Sequence, residues 1–378
     1  MSLPQIKLAL VICMVDSIHF ARWLEQFGEQ GIDFLLFPSS PNRRIHPQLK
    51  ALLERNTTGN YEIALLGKWF GLPLRILDKF TNNFFGQPCF AGQTGSTNQT
   101  SCKILSFRMP VMRASGHLQN TNLKDSASLP QTGAVTSSGF KDSPSTGKLE
   151  ALLKLAGAYS AECHWDVALS RELGFTGEAL PVIPNAGGFS KADLSLPLLQ
   201  PDKRKTIALK GCHGWAGRAK VSLEAVREVA DELGRYQFVV YSANRSVIKL
   251  AMQVAKKTGL DSTAHAKRSL SHQKVLKLFA KSKIYVGLSE SYGISTSILK
   301  AMAMAAIPVQ TSTACCDEWF KDSGVEVTEI SVDAVKSAIR QGLALAEDPT
   351  NAQVNLKAIE LGANAEEAQK TALTYYGL

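Results

Sequence analysis

The chain has 378 residues, 45% of them hydrophobic, and a net charge of +9. That length allows two or three domains, and the composition supports a buried core and excludes wholesale disorder. No apolar run approaches the roughly 20 residues that a membrane-spanning helix needs. The opening MSLPQIKLALVICMVDSIHF has no basic leader and no small-residue cleavage site, so no signal peptide is expected. The basic residues are spread along the chain, with no Lys/Arg run interleaved with aromatics. Nucleic acid therefore ranks below an anionic membrane surface or a polyanionic small molecule such as a nucleotide. The seven cysteines include no CxxC pair, so the spacing suggests neither a zinc site nor a disulfide framework, and a reducing cytoplasm is the default. Cys315 and Cys316 read as small loop or core residues.

In chain order, QIKLALVICMV (5–15) is a continuous apolar run, which reads as a buried strand. HFARWLEQFGEQG (19–31) follows as an amphipathic helix. Phe20, Trp23, Leu24 and Phe27 share one face, and Gly31 ends it. IDFLLFPSS (32–40) is a second strand, completing a β-α-β unit and favouring a parallel sheet. PQLKALLERN and ALLGKWFGLPLRILDKF read as helices. From about 88 to 148 the chain turns rich in Ser, Thr, Gly, Asn and Gln, a composition that buries too little surface to offset the entropy of ordering. This stretch is expected to be a mobile insertion in which only 102–112 could form a strand. His117, its one histidine, reads as solvated.

Regular structure resumes at 149–163. DVALSRELGF reads as a helix, and 177–189 as a strand entering a glycine turn. SKADLSLPLLQPDKRK (190–205), with its prolines and charges, is the expected boundary. Beyond it the alternation is clean, with strands at 206–211, 236–243, 283–289 and 307–312. Helices are expected at 221–234, in SVIKLAMQVAKKTG, and at 269–282, 295–306, 331–348 and 366–376. Strands and helices on this spacing predict an α/β fold with two doubly wound, Rossmann-like domains facing a cleft. The domains are expected at 1–190 and 200–360, with 361–378 as a helix able to pack back on the first.

Ligands of open parallel sheets bind beyond the carboxyl ends of the strands. Two loops there stand out. KGCHGWAGRAK (210–220) holds Gly211, Gly214 and Gly217 at intervals of three, ahead of a helix start whose amides suit an anion. Arg218 adds a fork of donors matched to a diphosphate, and Lys220 a point charge. The loop lacks the Gly-Lys-Ser/Thr of a Walker loop and the closer first glycines of a dinucleotide fingerprint. On the glycines alone, a solvated turn is the favoured reading; with Arg218 at a strand end, the two readings stand about even. The second loop is SYGISTSILK (291–300). Gly293 allows a tight turn, and Ser295, Thr296 and Ser297 cluster hydroxyls at a helix start. Simple N-capping would need one hydroxyl; three favour a phosphate.

KGCHGWAGRA and GLSESYGISTSILKAMAMAAIPVQ together resemble the nucleotide-sugar domain of GT-B glycosyltransferases, specifically the retaining family 4. IPNAGGF (183–189) is similar to that family's inter-domain turn, and DSIHFARW (16–23) to the start of an acceptor domain. The resemblance covers about 160–375 and 5–40, and fails over about 50–148. It implies that Arg218 and Lys220, with Gly214 and Gly217, hold the donor diphosphate, helped by Gly293, Ile294, Ser295, Thr296 and Ser297, and that Lys300 belongs to the same donor-binding set. It also implies Glu290 near the sugar, Asp16 and His19 facing the acceptor, and a leaving group stabilised electrostatically without an obligatory metal. Three positions depart from the pattern. The family's helix carboxylate, an acceptor for ribose hydroxyls, falls at Lys300, which cannot accept. Its turn aspartate falls at Tyr292, and its later helix glycine at Ala305 or Ala306.

The resulting expectation is a glycosyltransferase that moves a sugar from a nucleotide-sugar to a glycan or lipid-linked acceptor. It would work in cell-surface polysaccharide synthesis, in the cytoplasm or peripherally at an anionic inner membrane surface. The alternative is a degenerate paralogue that serves as a binding partner or scaffold. A sugar-nucleotide epimerase ranks third, because the acid and base groups it needs cannot be located.

Overall fold

The computed structural model describes residues 7–13, 18–25, 32–38, 45–55, 61–63, 103–106, 150, 153–154, 158–159, 161–184, 187–214, 217–289, 294–312 and 315–376. Asp16, Glu290, Tyr292, Gly293 and His117 lie outside these residues, as does nearly all of the polar stretch at 88–148. The chain forms two compact units: 1–110 with 185–187 and 366–378, and 111–184 with 188–365.

The first unit holds a parallel sheet of β1 (Lys7–Cys13), β2 (Ile32–Pro38), β3 (Tyr61–Ile63) and β4 (Lys103–Ser106), in the order β3-β2-β1-β4. The expected β-α-β start is present, with α1 (Ile18–Glu25) between β1 and β2, and residues 7–13 pairing in register with 32–38. Phe20 and Leu24 of α1 are buried, as their shared face requires. α2 (Pro47–Arg55) matches the expected helix. β4 falls inside 102–112, the one stretch of the polar region that read as a strand, and it pairs with β1.

The second unit begins with β5 (Ala158–Tyr159), α3 (His164–Glu172) and β6 (Glu178–Ala179), a strand much shorter than the sequence suggests. The boundary-like stretch 190–205 contains α4 (Lys191–Leu194). Its capping box pairs the Ser190 hydroxyl with the Asp193 amide, and the Asp193 carboxylate with the Ser190 amide. Leu194, Leu196 and Leu198 pack on the core, so this stretch is part of the second unit's body.

The six-stranded parallel sheet carries the architecture. Its strands are β7 (Thr206–Lys210), β8 (Gln237–Ala243), β9 (Ser262–Ala266), β10 (Ser282–Gly287), β11 (Ile307–Thr311) and β12 (Val325–Val327). Their order in space is β12-β11-β10-β7-β8-β9. Read from β9, this is the doubly wound order 3-2-1-4-5-6, whose direction of winding reverses between β7 and β10. The crossover helices are α5 (Ala219–Glu228), α6 (Arg245–Thr258), α7 (His272–Phe279), α8 (Thr296–Ala303) and, beyond β12, α10 (Val332–Leu345); α9 (Asp317–Phe320) is a short turn of helix.

Alternation along the strands builds two cores. Ile207, Leu209, Ile284 and Val286 face the α5, α6 and α10 side. Ala208 and Tyr285 face the α7 and α8 side, together with Ile298, Leu299 and Met302. β9 (STAHA) and β12 (VEV) were not expected, being edge strands too short or too polar to show a pattern. α11 (Pro349–Gly362) was also missed, because little beyond Asn355 and Ile359 is fully buried along it.

After α8 the chain turns through Ala305 at φ +57°, a left-handed conformation that disfavours a side chain with a Cβ. This is one of the two positions at which the resemblance places a glycine. Ala305→Gly is expected to raise unfolding free energy by roughly 1 kcal/mol, measured by urea denaturation.

Candidate functional site

The winding reversal brings the loop after β7 beside the loop after β10. Both leave carboxyl ends of strands, where a crevice forms in sheets of this order. The glycine loop is anchored there by its backbone. Gly217 bridges to Ser289, and the Arg218 amide donates to the Leu288 carbonyl at 3.1 Å. Glycine at 217 is demanded by the loop's packing on itself, since a Cβ would run into the Cys212 carbonyl. At Gly211 a Cβ would lie 2.6 Å from that of Ala243, so the loop leaves the sheet with no room for a side chain.

Arg218 stands at the N-cap of α5. Its Nη1 donates to the carbonyls of Gly214 and Gly217, at 3.1 Å for the latter, so the guanidinium is held over its own loop. Lys220 is in the first turn of α5, and its amide points at His213 Nδ1. His213, which sequence reasoning passed over, is pushed below its ordinary pKa by burial and then by Lys220 and Arg218.

The second loop is set by a buried polar network at the ends of β10 and β11. The Ser289 amide donates to Thr311 Oγ1 at 2.9 Å, and that hydroxyl donates back to the Ser289 carbonyl at 2.7 Å. Gln310 reaches Ser289 Oγ at 3.3 Å and accepts from the Tyr285 hydroxyl at 3.2 Å. Ser295 occupies the N-cap of α8 with extended dihedrals, yet its side chain makes no capping bond. Its Oγ instead accepts from Lys210 Nζ at 3.2 Å. Of the three hydroxyls, then, Ser295 turns to a lysine. Ser297 is buried against Tyr285, whose phenol is raised by burial, and Thr296 opens the helix half-buried. Ile294 is buried in the core, and Lys300 lies half-buried on α8.

Lys210 is the residue that sequence reasoning left out of the site. It ends an otherwise apolar strand, TIALK, just before Gly211. A lysine closing a buried strand was the available signal. Burial draws its pKa down to about 8, against a smaller opposing influence of Cys212.

One carboxyl also reaches the second loop. Glu162, 6% exposed, accepts a hydrogen bond from the Ile294 amide. Burial and then Asp166 raise it to about 8, while the amide acts the other way. It is therefore neutral at pH 7 and ionises just above. His19 falls on α1 of the first unit. The surface hollow lined by Lys205, Tyr236, Gly259 and Asp261 sits at the opposite, amino-terminal ends of β7, β8 and β9, away from both loops.

No family model matches the chain, and no curated protein matches it. Solved structures do. The chain resembles HepE from Anabaena, crystallised with UDP-glucose, with a TM-score of 0.61 and 13% identity over 98% of this chain and 100% of that one. It resembles apo OtsA with a TM-score of 0.60 and 12% identity over 97% and 98% of the two chains. Of the pneumococcal O-GlcNAc transferase GtfA the chain spans 44%, with a TM-score of 0.47. A likeness that runs nearly end to end through HepE and OtsA at such low identity is a likeness of fold. This chain has the Rossmann-like α/β fold of the GT-B glycosyltransferases.

Proposed function

We propose that this protein is a glycosyltransferase that moves a sugar from a nucleotide-sugar donor to a glycan or lipid-linked acceptor, in cell-surface polysaccharide synthesis. The observation that carries the reading is the Lys210–Ser295 contact at the winding reversal of the second sheet. It sets a lysine beside the start of α8, with Arg218 and Lys220 on the neighbouring loop. A diphosphate leaving from a sugar gains negative charge, and fixed cations and amides in a partly dry site stabilise that charge without reorganising. In this reading Gly214, Gly217, Arg218, Lys220, Lys210 and Ile294 to Ser297 hold the diphosphate, with Gly293 giving the turn. Glu290 lies by the sugar, Asp16 and His19 serve the acceptor, and no metal is required. The family 4 assignment and its retaining stereochemistry belong to this proposal. The same holds for a cytoplasmic location and for peripheral contact of this +9 chain with an anionic membrane. HepE, of like fold, was crystallised with UDP-glucose, which makes uridine nucleotides the first donors to try.

A second reading has its own support. The Glu162 carboxyl takes up the Ile294 amide, and Lys300 stands where the resemblance expects an acceptor for ribose. Both suit a degenerate paralogue that acts as a scaffold. Calorimetric titration with uridine, guanosine and adenosine diphosphates separates the two. Binding by one of them, weakened about tenfold or more in Arg218→Ala, is the expected result. Silence of the folded wild-type chain across the set would leave the scaffold.

A further inference from the structure

The start of α3 and the start of α9 meet in a compact, mostly buried cluster. Cys163 Sγ, Cys315 Sγ and a carboxylate oxygen of Glu318 all lie within 4.8 Å of one another. Cys163 is fully buried and is the N-cap of α3, with no side-chain cap of its own. Glu318 supplies that cap from a distant part of the chain, its two oxygens accepting from the His164 and Trp165 amides at 2.9 and 3.0 Å. The carboxylate is thus held in place by backbone, with lone pairs left on each oxygen. The Asp166 amide donates to the Cys163 sulfur, and the Cys163 thiol bonds to the side chains of Cys315 and Asp166.

A second observation is independent of the sulfur geometry. Asp166 is 2% exposed, and its Oδ2 has no hydrogen-bond partner among the described residues. A buried carboxylate oxygen with nothing to accept from carries a desolvation cost, and proteins meet it with a hydrogen, a cation or a metal. Among the described residues, Cys163 bonds to Asp166 and Glu318 acts on it by charge, and neither is a cation.

From this arrangement we infer a binding site for one thiophilic divalent cation, of which Zn²⁺ is the type. Cys163 Sγ, Cys315 Sγ and a Glu318 oxygen are its ligands, and Asp166, whose side chain bonds that of Cys163, orients the sulfur. Two thiolates and a carboxylate are a donor set that suits such a metal and not magnesium or calcium. Tetrahedral zinc with bonds of about 2.3 Å to sulfur holds its sulfurs about 3.8 Å apart, so the two sulfurs need to close by no more than about 1 Å. Binding releases the two thiol protons to solvent, and no electrons move. The metal joins the start of α3 to the turn after β11. It sits one residue from Glu162, whose carboxyl meets the Ile294 amide. A metal there would fix the segment that carries that carboxyl. The cysteines are too far apart in sequence for spacing to reveal the site.

The test uses the full chain, purified under reducing conditions without chelator. Elemental analysis is expected to find about one zinc per chain. Replacement by Co²⁺ is expected to give a thiolate-to-cobalt charge-transfer band in the near ultraviolet. Cys163→Ser and Cys315→Ser should each lose the stoichiometric metal, while Cys212→Ser keeps it. Glu318→Gln should weaken zinc at least tenfold in competition with a chromophoric chelator; it guards against variants that merely fail to fold, since its amide oxygen still accepts from one of the two α3 amides. Folded, reduced wild-type chain that takes up neither zinc nor cobalt would overturn the proposal. So would metal retained by both serine variants, or a Cys163–Cys315 disulfide found by peptide mapping of the reduced preparation.

Discussion

Lys210→Met is expected to weaken nucleoside diphosphate binding at pH 7 by about 10- to 100-fold, the worth of a charge-assisted hydrogen bond to phosphate of roughly 1.5–3 kcal/mol. The pH dependence makes this prediction sharper. Burial draws Lys210 down to about 8, and burial raises Glu162 to about 8. Below that pH the lysine is charged and the carboxyl neutral, which suits an anion. Above it the lysine is neutral and the carboxyl ionised beside the Ile294 amide, so the site swings by two charges against an anion. Wild-type affinity should therefore fall steeply between pH 7 and 9. Lys210→Met should lose the lysine's share of that fall, and Glu162→Gln the carboxyl's. An approaching diphosphate favours the charged lysine, so binding near pH 8.5 should take up protons, seen as a binding heat that depends on the buffer's ionisation enthalpy. An affinity flat from pH 7 to 9 would remove Lys210 from the site.

The same two groups act on stability, with opposite windows. Glu162 holds its proton longer in the folded chain than in the unfolded one. Its contribution is therefore most favourable below pH 4.5 and declines as pH rises to about 8. Lys210 releases its proton earlier in the folded chain, so its penalty is present below about 8 and is relieved as pH climbs from there toward 10.5.

Arg204→Met is expected to destabilise the second unit by about 2–4 kcal/mol, the cost of leaving several buried carbonyls without their donor. Arg204 is 4% exposed. Its Nε donates to the Leu199 carbonyl at 2.8 Å, and its Nη1 to those of Ser282, Met304 and Ala305 at 3.3, 3.0 and 2.5 Å. Met304 and Ala305 close α8, so one guanidinium satisfies carbonyls at the end of the helix whose start carries Ser295. A positive charge there also complements the helix dipole. Burial pulls its pKa only to about 10, so it stays charged at neutral pH. Methionine keeps much of the volume and leaves those acceptors without a donor. Lysine should rescue poorly, because an ammonium cannot reproduce the planar fork. Urea denaturation of both variants checks this, and a loss under about 1 kcal/mol for the methionine variant would contradict it.

Much of this molecule follows from local pattern. Runs such as KIYVGLS are continuous and apolar because strands of a parallel sheet are covered on both faces. The helices between them show a 3.6-residue face because one side meets the sheet. Those periods alone give the alternation, the parallel sheets and the strand ends that bear the glycine loop and the serine-rich turn. The failures are physical too. β9 and β12 are edge strands, and α11 is scarcely amphipathic, so neither period registers. Arg204 sits in a stretch whose prolines and charges read as a linker, yet its side chain is buried.

What only the tertiary structure decided is which distant residues meet and how dry they are when they do. The winding reversal sets β7 against β10 and brings Lys210 to Ser295, a pair that no spacing rule connects. Cys163, Cys315 and Glu318 converge in the same way, from opposite ends of the second unit. Charge is a property of a residue type, whereas its protonation depends on desolvation. Glu162 and Lys210 therefore look ordinary in the sequence and acquire their shifted pKa values only once the fold has removed water from around them.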